Sequence, residues 1–409
     1  LSNTVGYSNV AVGVSSLGAN VGGIRNTALG GSTLLVNTSG NSNVAVGYTS
    51  LAANTAGANN VASGYQSLLV NTTGGSNVAI GSMSLSANTT ASNNTAVGYT
   101  ALTANTTGTS NTAVGFQALD ANTTASNNTA MGVNALGACV TGTQNSAFGR
   151  SSLTLNTGDY NTAVGYDTIG EAGAGSYNTA VGRGACSANT SGAQNTALGY
   201  GVLGLNAAGV DNSGIGYQAL GSVNGGNDNS AVGRYAGFSV TTGDNNTFLG
   251  HDAGLSGSPG GAITTADNQM CLGDENIANA HIQVDWTVAS DKRDKTEVTP
   301  LVMGLDFINK LEPVTYRWDK RSKYSKDQDV TPDGTHKEAQ LDVGFLAQDV
   351  EELEKEYGFN FEDKTNLTTN ISDDEKMYGL KYSKFVPALV KAVQELTAKV
   401  KELEGKLND

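Results

Sequence analysis

The sequence predicts a mainly β chain: a repetitive 17-residue β-solenoid over residues 1–280, a linker over 281–289, and an α+β domain over 290–409 that ends in a coiled-coil helix. Three observations predict it. Glycine recurs every 17 residues through most of the chain, charge density changes abruptly near residue 285, and the last helix carries apolar residues at alternating three-four spacing.

The period is the primary signal. Glycines stand at Gly13, Gly30, Gly47 and onward to Gly149, then after one 16-residue step at Gly165 and on to Gly250, with a last, looser copy ending at Gly273. Four residues before each glycine is an Asn (Asn9, Asn26, Asn43 through Asn246), replaced by Gln269 only in the last copy. The unit reads Asn-Thr-Ala-Val-Gly-Tyr-x-x-Leu-x-x-Asn-Thr. It is too short for a helix pair and too rich in Asn, Thr and Gly for any helix. Each copy offers only Ala, Val and Leu to bury, so copies must stack to form a continuous core. Sixteen coils about 4.8 Å apart make a rod on the order of 75 Å long. No Pro precedes Pro259, as an uninterrupted strand ladder requires. The Asn column predicts an inward ladder of side-chain amides bonding the coils above and below. Asn71, Asn88, Asn105 and Asn122 also begin glycosylation sequons, a match that an Asn- and Thr-rich repeat produces by composition alone.

Composition excludes several partners. Residues 1–285 contain no Lys and four Arg against twelve Asp plus Glu, a net charge of -8; the remaining residues add -6. A chain without a basic face releases no counterions from a phosphate backbone, so nucleic acid is not an expected partner. No apolar run reaches the roughly 18–20 residues of a membrane span, so membrane insertion is not expected. The start at Leu1 lacks a signal-peptide pattern and leads us to expect a piece of a longer chain. Cys139, Cys186 and Cys271 follow no metal-ligand spacing and read as small apolar fillers. No cofactor and no resident metal are expected.

The position after the glycine carries Tyr48, Tyr65, Tyr99, Phe116, Tyr166, Tyr200 and Tyr217, but also Arg150, Arg183, Arg234, His251 and Asp274. A column that accepts both rings and charges lies at the surface. Its aromatic members are either a possible glycan-binding face or a ring ladder that steadies neighbouring coils. Asp211 and Asp228, 17 apart, and the weaker pair Asp167 with Glu171 are the nearest approach to the carboxylate pairs of a Ca²⁺ site or a glycosidase, and without a further ligand cluster they read as a solvated face.

The Asn-x-Ala-[Val/Ile]-Gly repeat resembles the heads of trimeric autotransporter adhesins and many phage tail fibres. That resemblance implies a trimeric β-roll or β-helix, although a 17-residue period is longer than the usual adhesin-head repeat.

From Ile282 the repeat dissolves into a charged segment. Four ordered motifs follow: Ser290 to Lys295 (SDKRDK), Leu305 to Trp318 (LDFINKLEPVTYRW), Gly344 to Leu353 (GFLAQDVEEL), and a terminal helix after YSKFVPALVKAVQEL. Together they resemble the endosialidase-type intramolecular chaperones, a serine-lysine autopeptidase family at the ends of phage tailspikes and fibres. The resemblance implies a homotrimer, templated folding of the upstream β-structure, and one self-cleavage after assembly. It implies Ser290 as nucleophile, Lys295 as base, and Asp291 as the first residue of the released fragment. Arg293 matches a basic position, and Gln348 and Asp349 lie in the segment that supports the site, with Asp349 standing where the family more often has Glu. Residues 320–340 form a longer loop than the family pattern.

Serine attacks only when a base takes its proton, and a lysine does so only when burial or neighbouring cations lower its pKa. Arg293 and Lys292 are candidates for that role. Residues five apart point about 140° apart on a helix, so the pair requires a turn or an extended segment. Attack by Ser290 on its own carbonyl passes through a four-membered ring; attack on the Ala289 carbonyl, or on another chain, avoids it. The family resemblance favours the Ser290–Asp291 bond.

The final helix, about 384–407, places Val386, Leu389, Val393, Leu396, Val400, Leu403 and Leu407 on a trimerisation seam. The implied function is a fibre of a virion or an extracellular phage-like particle, made in the host cytoplasm, that binds a host cell-surface receptor, glycan foremost. A bacterial surface adhesin, a contractile-injection-system fibre and a glycan-degrading tailspike are the alternatives.

Overall fold

The computed structural model describes residues 4–170, 173, 175–283, 286–325, 329–372 and 375–408. The chain divides into two compact units. The first comprises Leu1–Ala253 with Thr264–Met270, and the second Gly254–Ile263 with Cys271–Asp409.

The repeat folds as sixteen three-residue strands, β1 (Val10–Val12) to β16 (Met270–Leu272), stacked in sequence order as one parallel sheet. Register is in step with the repeat: Thr95 pairs with Thr112, Ala96 with Ala113 and Val97 with Val114. The repeating glycine is required twice over. Gly98 has φ +142°, and a Cβ there would lie 2.3 Å from the carbonyl oxygen of Gly115 in the next coil. The leucine four residues later also turns left-handed, as at Leu51 and Leu68 (both φ 49°), a conformation that costs a side-chain-bearing residue roughly 1–2 kcal/mol. Complete burial of that leucine offsets the strain.

The core is half polar. Inside lie the strand alanines, the leucines, a Ser, Thr or Ala column beside them, and two columns of asparagine. In the first asparagine column each Oδ1 accepts the backbone N–H of the next Asn, as Asn94 does from Asn111 at 2.9 Å, while Nδ2 of Asn94 donates to Gly108 O at 2.9 Å. The second column was not read as structural. In it, Asn37, Asn54, Asn71, Asn88, Asn105 and Asn122 each donate Nδ2 to the Oδ1 of the Asn one coil earlier, at 2.8–3.0 Å. The sequon asparagines are members of this ladder and fully buried, which removes them as glycan acceptors in the folded protein.

One expectation about the core requires correction. The residue before each glycine, expected inside, faces outward: Leu29, Ile80, Met131, Leu198, Ile215 and Leu249 are exposed. A three-residue strand alternates sides, and with the central alanine inside, both neighbours must point out.

The cysteines sit in core columns. Cys186 occupies a leucine position, Cys271 a strand-alanine position and Cys139 an asparagine position, all buried. Burial pushes the Cys186 thiol up to about 12 and the Cys139 thiol up to about 11. Cys139 interrupts the second ladder and leaves Asn122 Oδ1 without a partner. The single 16-residue coil loses its residue in the turn after Asn156, which reaches Gly158 O two residues on instead of three. The strands either side keep their pairing, Ala147 with Ala163.

The second unit contains helix α1 (Leu305–Lys310), a hairpin of β17 (Val314–Tyr316) and β18 (Asp342–Gly344), helix α2 (Ala347–Glu356), a hairpin of β19 (Thr369–Ile371) and β20 (Tyr378–Leu380), and helix α3 (Phe385–Asn408). Met303, Phe307, Val350, Leu353, Phe385 and Ala388 form its core. Glu354 lies within α2, buried, where its carboxylate accepts from Thr368 N at 2.6 Å, Thr368 Oγ1 at 2.8 Å and Leu367 N at 3.2 Å. Glu395 of α3 accepts the N–H of Leu305 at 2.8 Å and so caps α1. The long connection inside the first hairpin is tied by the Tyr324 hydroxyl, which donates to Asp319 at 2.9 Å and accepts from His336 N at 3.1 Å. Among the described residues no helix is long and apolar enough to cross a membrane.

Candidate functional site

Asp291 accepts the backbone N–H of Arg293 at 2.9 Å on its Oδ1 and opens a single 3-10 turn, Lys292–Asp294. The turn reverses the chain within five residues. Lys295 thereby comes back on Ser290, with Nζ 2.6 Å from Oγ. Both residues, like everything around them from 286 to 300, are exposed.

Arg293 does not face the lysine. Its guanidinium is held by Asp291, with contacts of 2.6, 3.1 and 3.1 Å. That pairing holds the Asp291 carboxyl below its ordinary value and, by the same contact, ties up the Arg293 charge. Gln348 and Asp349 lie exposed on the first turn of α2, and no hydrogen bond joins either to Ser290 or Lys295. Asp349 instead borders a groove of about 360 Å³ with Lys310, Glu312, Phe345 and Glu356.

A hydroxyl within hydrogen-bond reach of an amine is the contact that proton abstraction requires. Residues 290–359 match the family model described as chaperone of endosialidase. No curated protein and no solved structure matches the chain. An endosialidase-chaperone segment behind a β-solenoid fits a phage tail-fibre-like protein.

On helix α3, which follows the matched segment, Phe385, Ala388 and Ala392 are buried against the unit's own core, whereas Val386, Leu389, Val393, Leu396, Val400, Leu403 and Leu407 are all exposed. The seam and the packed face are different sides of one helix.

On the solenoid, Tyr48, Tyr65, Tyr99, Phe116, Tyr166, Tyr200 and Tyr217 are exposed as a column. Tyr48 stacks on Tyr65 with centroids 6.1 Å apart, Tyr99 on Phe116 at 5.7 Å and Tyr200 on Tyr217 at 5.1 Å. Between them Arg150, Tyr166, Arg183 and Tyr200 alternate cation and ring, with 5.7 Å between each successive pair. A second stack, Tyr160 on Tyr177 at 4.9 Å, lies five residues before the glycine and went unread because only two coils carry it. Asp211 and Asp228 are exposed and unjoined by any hydrogen bond; Asp167 lines a groove described below, and Glu171 lies outside the described residues.

Proposed function

We propose that this chain is one protomer of a homotrimeric tail fibre whose solenoid attaches a phage or phage-like particle to a host cell-surface receptor. Its C-terminal domain, residues 290–409, drives trimerisation and folding and then cuts itself free at Ser290. The observation that carries this reading is the Ser290–Lys295 contact at 2.6 Å within a segment matching the endosialidase chaperones.

Two further features support it. Val386, Leu389, Val393, Leu396, Val400, Leu403 and Leu407 make an apolar seam along α3 that its own unit leaves uncovered. The outward strand residues, among them Leu29, Ile80, Met131, Leu198, Ile215 and Leu249, make a second exposed apolar stripe along the solenoid. Two further copies of this chain are the occupants we assign to both.

The exposure of the pair in a single chain supports an order in which assembly precedes cleavage. An ammonium in water cannot take a proton from serine, so the pair becomes competent when neighbouring chains cover it and favour the neutral amine. Ser290 Oγ then attacks a carbonyl carbon as its proton passes to Lys295 Nζ. The C–N bond breaks as that proton is delivered to the departing nitrogen, and water hydrolyses the resulting ester. Each chain turns over once. Loss of the template leaves the fibre without a route back from unfolding, a kinetic stability.

Ser290→Ala and Lys295→Ala should both give an undivided chain that still forms a trimer, read by denaturing gel and intact mass. Two fragments from either variant would remove the pair from the mechanism. Cleavage of wild type after Ser290, as distinct from before it, is read from the same masses.

A further inference from the structure

The aromatic column is not uniform along the solenoid. Beside Tyr166, Arg183 and Tyr200 the surface hollows into a groove of about 370 Å³, bordered on its other side by Leu205 and Phe238. That volume is within the range of about 300–1,000 Å³ common to small-molecule sites.

The groove exists because one column of side chains lapses. Two residues after the glycine, other coils carry Thr49, Gln66 or Met83; here stand Gly184 and Gly201. The backbone does not demand glycine, since φ is 64° and 59° at these two and 53–58° at Thr49, Gln66 and Met83. A Cβ on Gly184 would meet nothing within 4 Å, and one on Gly201 would meet only the flexible Gln218 side chain, at 3.3 Å. Gly204 and Gly221 also line the space, the latter against the Phe238 ring. What Gly184 and Gly201 provide is room.

The walls are polar and aromatic. Arg183 is clamped between the rings of Tyr166 and Tyr200, which fixes a guanidinium that would otherwise lose entropy on binding. Asp167 and Gln218 border the same space. Ring faces for the C–H side of a pyranose, with a carboxylate, an amide and a guanidinium for its hydroxyls, are the chemistry of sugar recognition. We infer that this groove binds a neutral oligosaccharide. Within the groove Arg183 and Asp167 offset one another, and the net charge of -8 over residues 1–285 opposes an acidic glycan. The inference rests on the reading of the solenoid as an attachment surface and locates the receptor site within it.

The test uses the full chain, assembled, on a printed array of neutral gluco-, galacto- and manno-oligosaccharides beside sialylated and uronic-acid glycans. The double variant Gly184→Gln/Gly201→Gln refills the groove with a residue that the fold accepts at Gln66 and Gln218. We expect wild type to bind neutral glycans and the refilled variant to bind at least about tenfold more weakly. Val36→Thr/Val70→Thr, exposed and outside both the groove and the aromatic column, should bind as wild type, and circular dichroism should be the same for all three. Equal binding by the refilled variant, binding confined to acidic glycans, or no binding to any glycan each overturns the site. Adsorption of the same proteins to a panel of bacterial cells separates the two readings: adsorption untouched by refilling leaves attachment standing without this groove, and no adsorption at all removes attachment itself.

Discussion

The solenoid and the C-terminal unit bury opposite kinds of side chain. In the solenoid, the first asparagine column is answered rung by rung from one coil to the next, so the rungs depend on their neighbours and none is stable alone. The C-terminal unit gathers Met303, Phe307, Val350, Leu353 and Phe385 from distant parts of its sequence into one apolar core. A core of that kind forms within one unit, whereas a ladder of near-identical rungs needs a first rung. The difference teaches where the two would meet under the proposed function: the costly step for a repeat of this composition is nucleation, and propagation along the ladder is then repetitive.

The comparison breaks most readily at the repeating glycine. Gly98→Ala places a Cβ 2.3 Å from Gly115 O and should cost several kcal/mol, at least about 3, through strain and displaced coils. We expect little soluble fibre while the C-terminal unit retains its helical circular dichroism. Next in size, Asn94→Ala strands the N–H of Asn111 in the core and should cost about 1–3 kcal/mol, seen as a lower melting temperature of the solenoid alone. In the other region, Glu354→Ala leaves the N–H groups of Leu367 and Thr368 unanswered, with a similar cost confined to the C-terminal unit. Cys139→Asn runs the opposite way. By restoring a partner to Asn122 Oδ1 it should stabilise the solenoid by about 1 kcal/mol, and no gain would mean that a water already fills the break.

The smallest effect is a pH dependence of the C-terminal unit. Lys391, and then the Leu305 N–H, hold the Glu395 carboxyl below its ordinary 4.5. A carboxylate lowered on folding contributes stability in full above the unfolded value and loses it as pH falls through the folded one. The melting difference between wild type and Glu395→Gln should therefore shrink only below about pH 4.5. Glu395 is only half-buried, so solvent screens it and its contribution is correspondingly slight.

Much of the solenoid was legible in one dimension because a fixed period forces like residues into columns; glycine every 17 residues leaves few other folds. What escaped were properties of direction. Nothing in Thr-Ala-Val says which of three small residues faces in, and the second asparagine ladder was hidden by an Asn-Thr pairing that also spells a sequon. In the candidate site, spacing alone carried nothing: a serine and a lysine five apart meet only because Asp291 opens a turn between them. The capture of Arg293 by that same aspartate was equally invisible, since adjacent opposite charges in sequence pair as often with water. Glu354 carried no signal of its own, because its partners Leu367 and Thr368 lie more than ten residues along the chain.

A ladder made of interchangeable rungs has no intrinsic zero. Shift one copy of this chain along another by a whole coil and nearly every contact between like columns is reproduced, so the repeat by itself cannot tell three aligned chains from three staggered ones. The coil that lacks one residue after Asn156 can. Its shortened turn occurs once, and chains out of step would set it against a full-length turn at three different heights. In the proposed trimer that missing residue would act as a notch in a ruler, a mark inside a monotonous rod that the longer last step, Gly250 to Gly273, repeats only at its end.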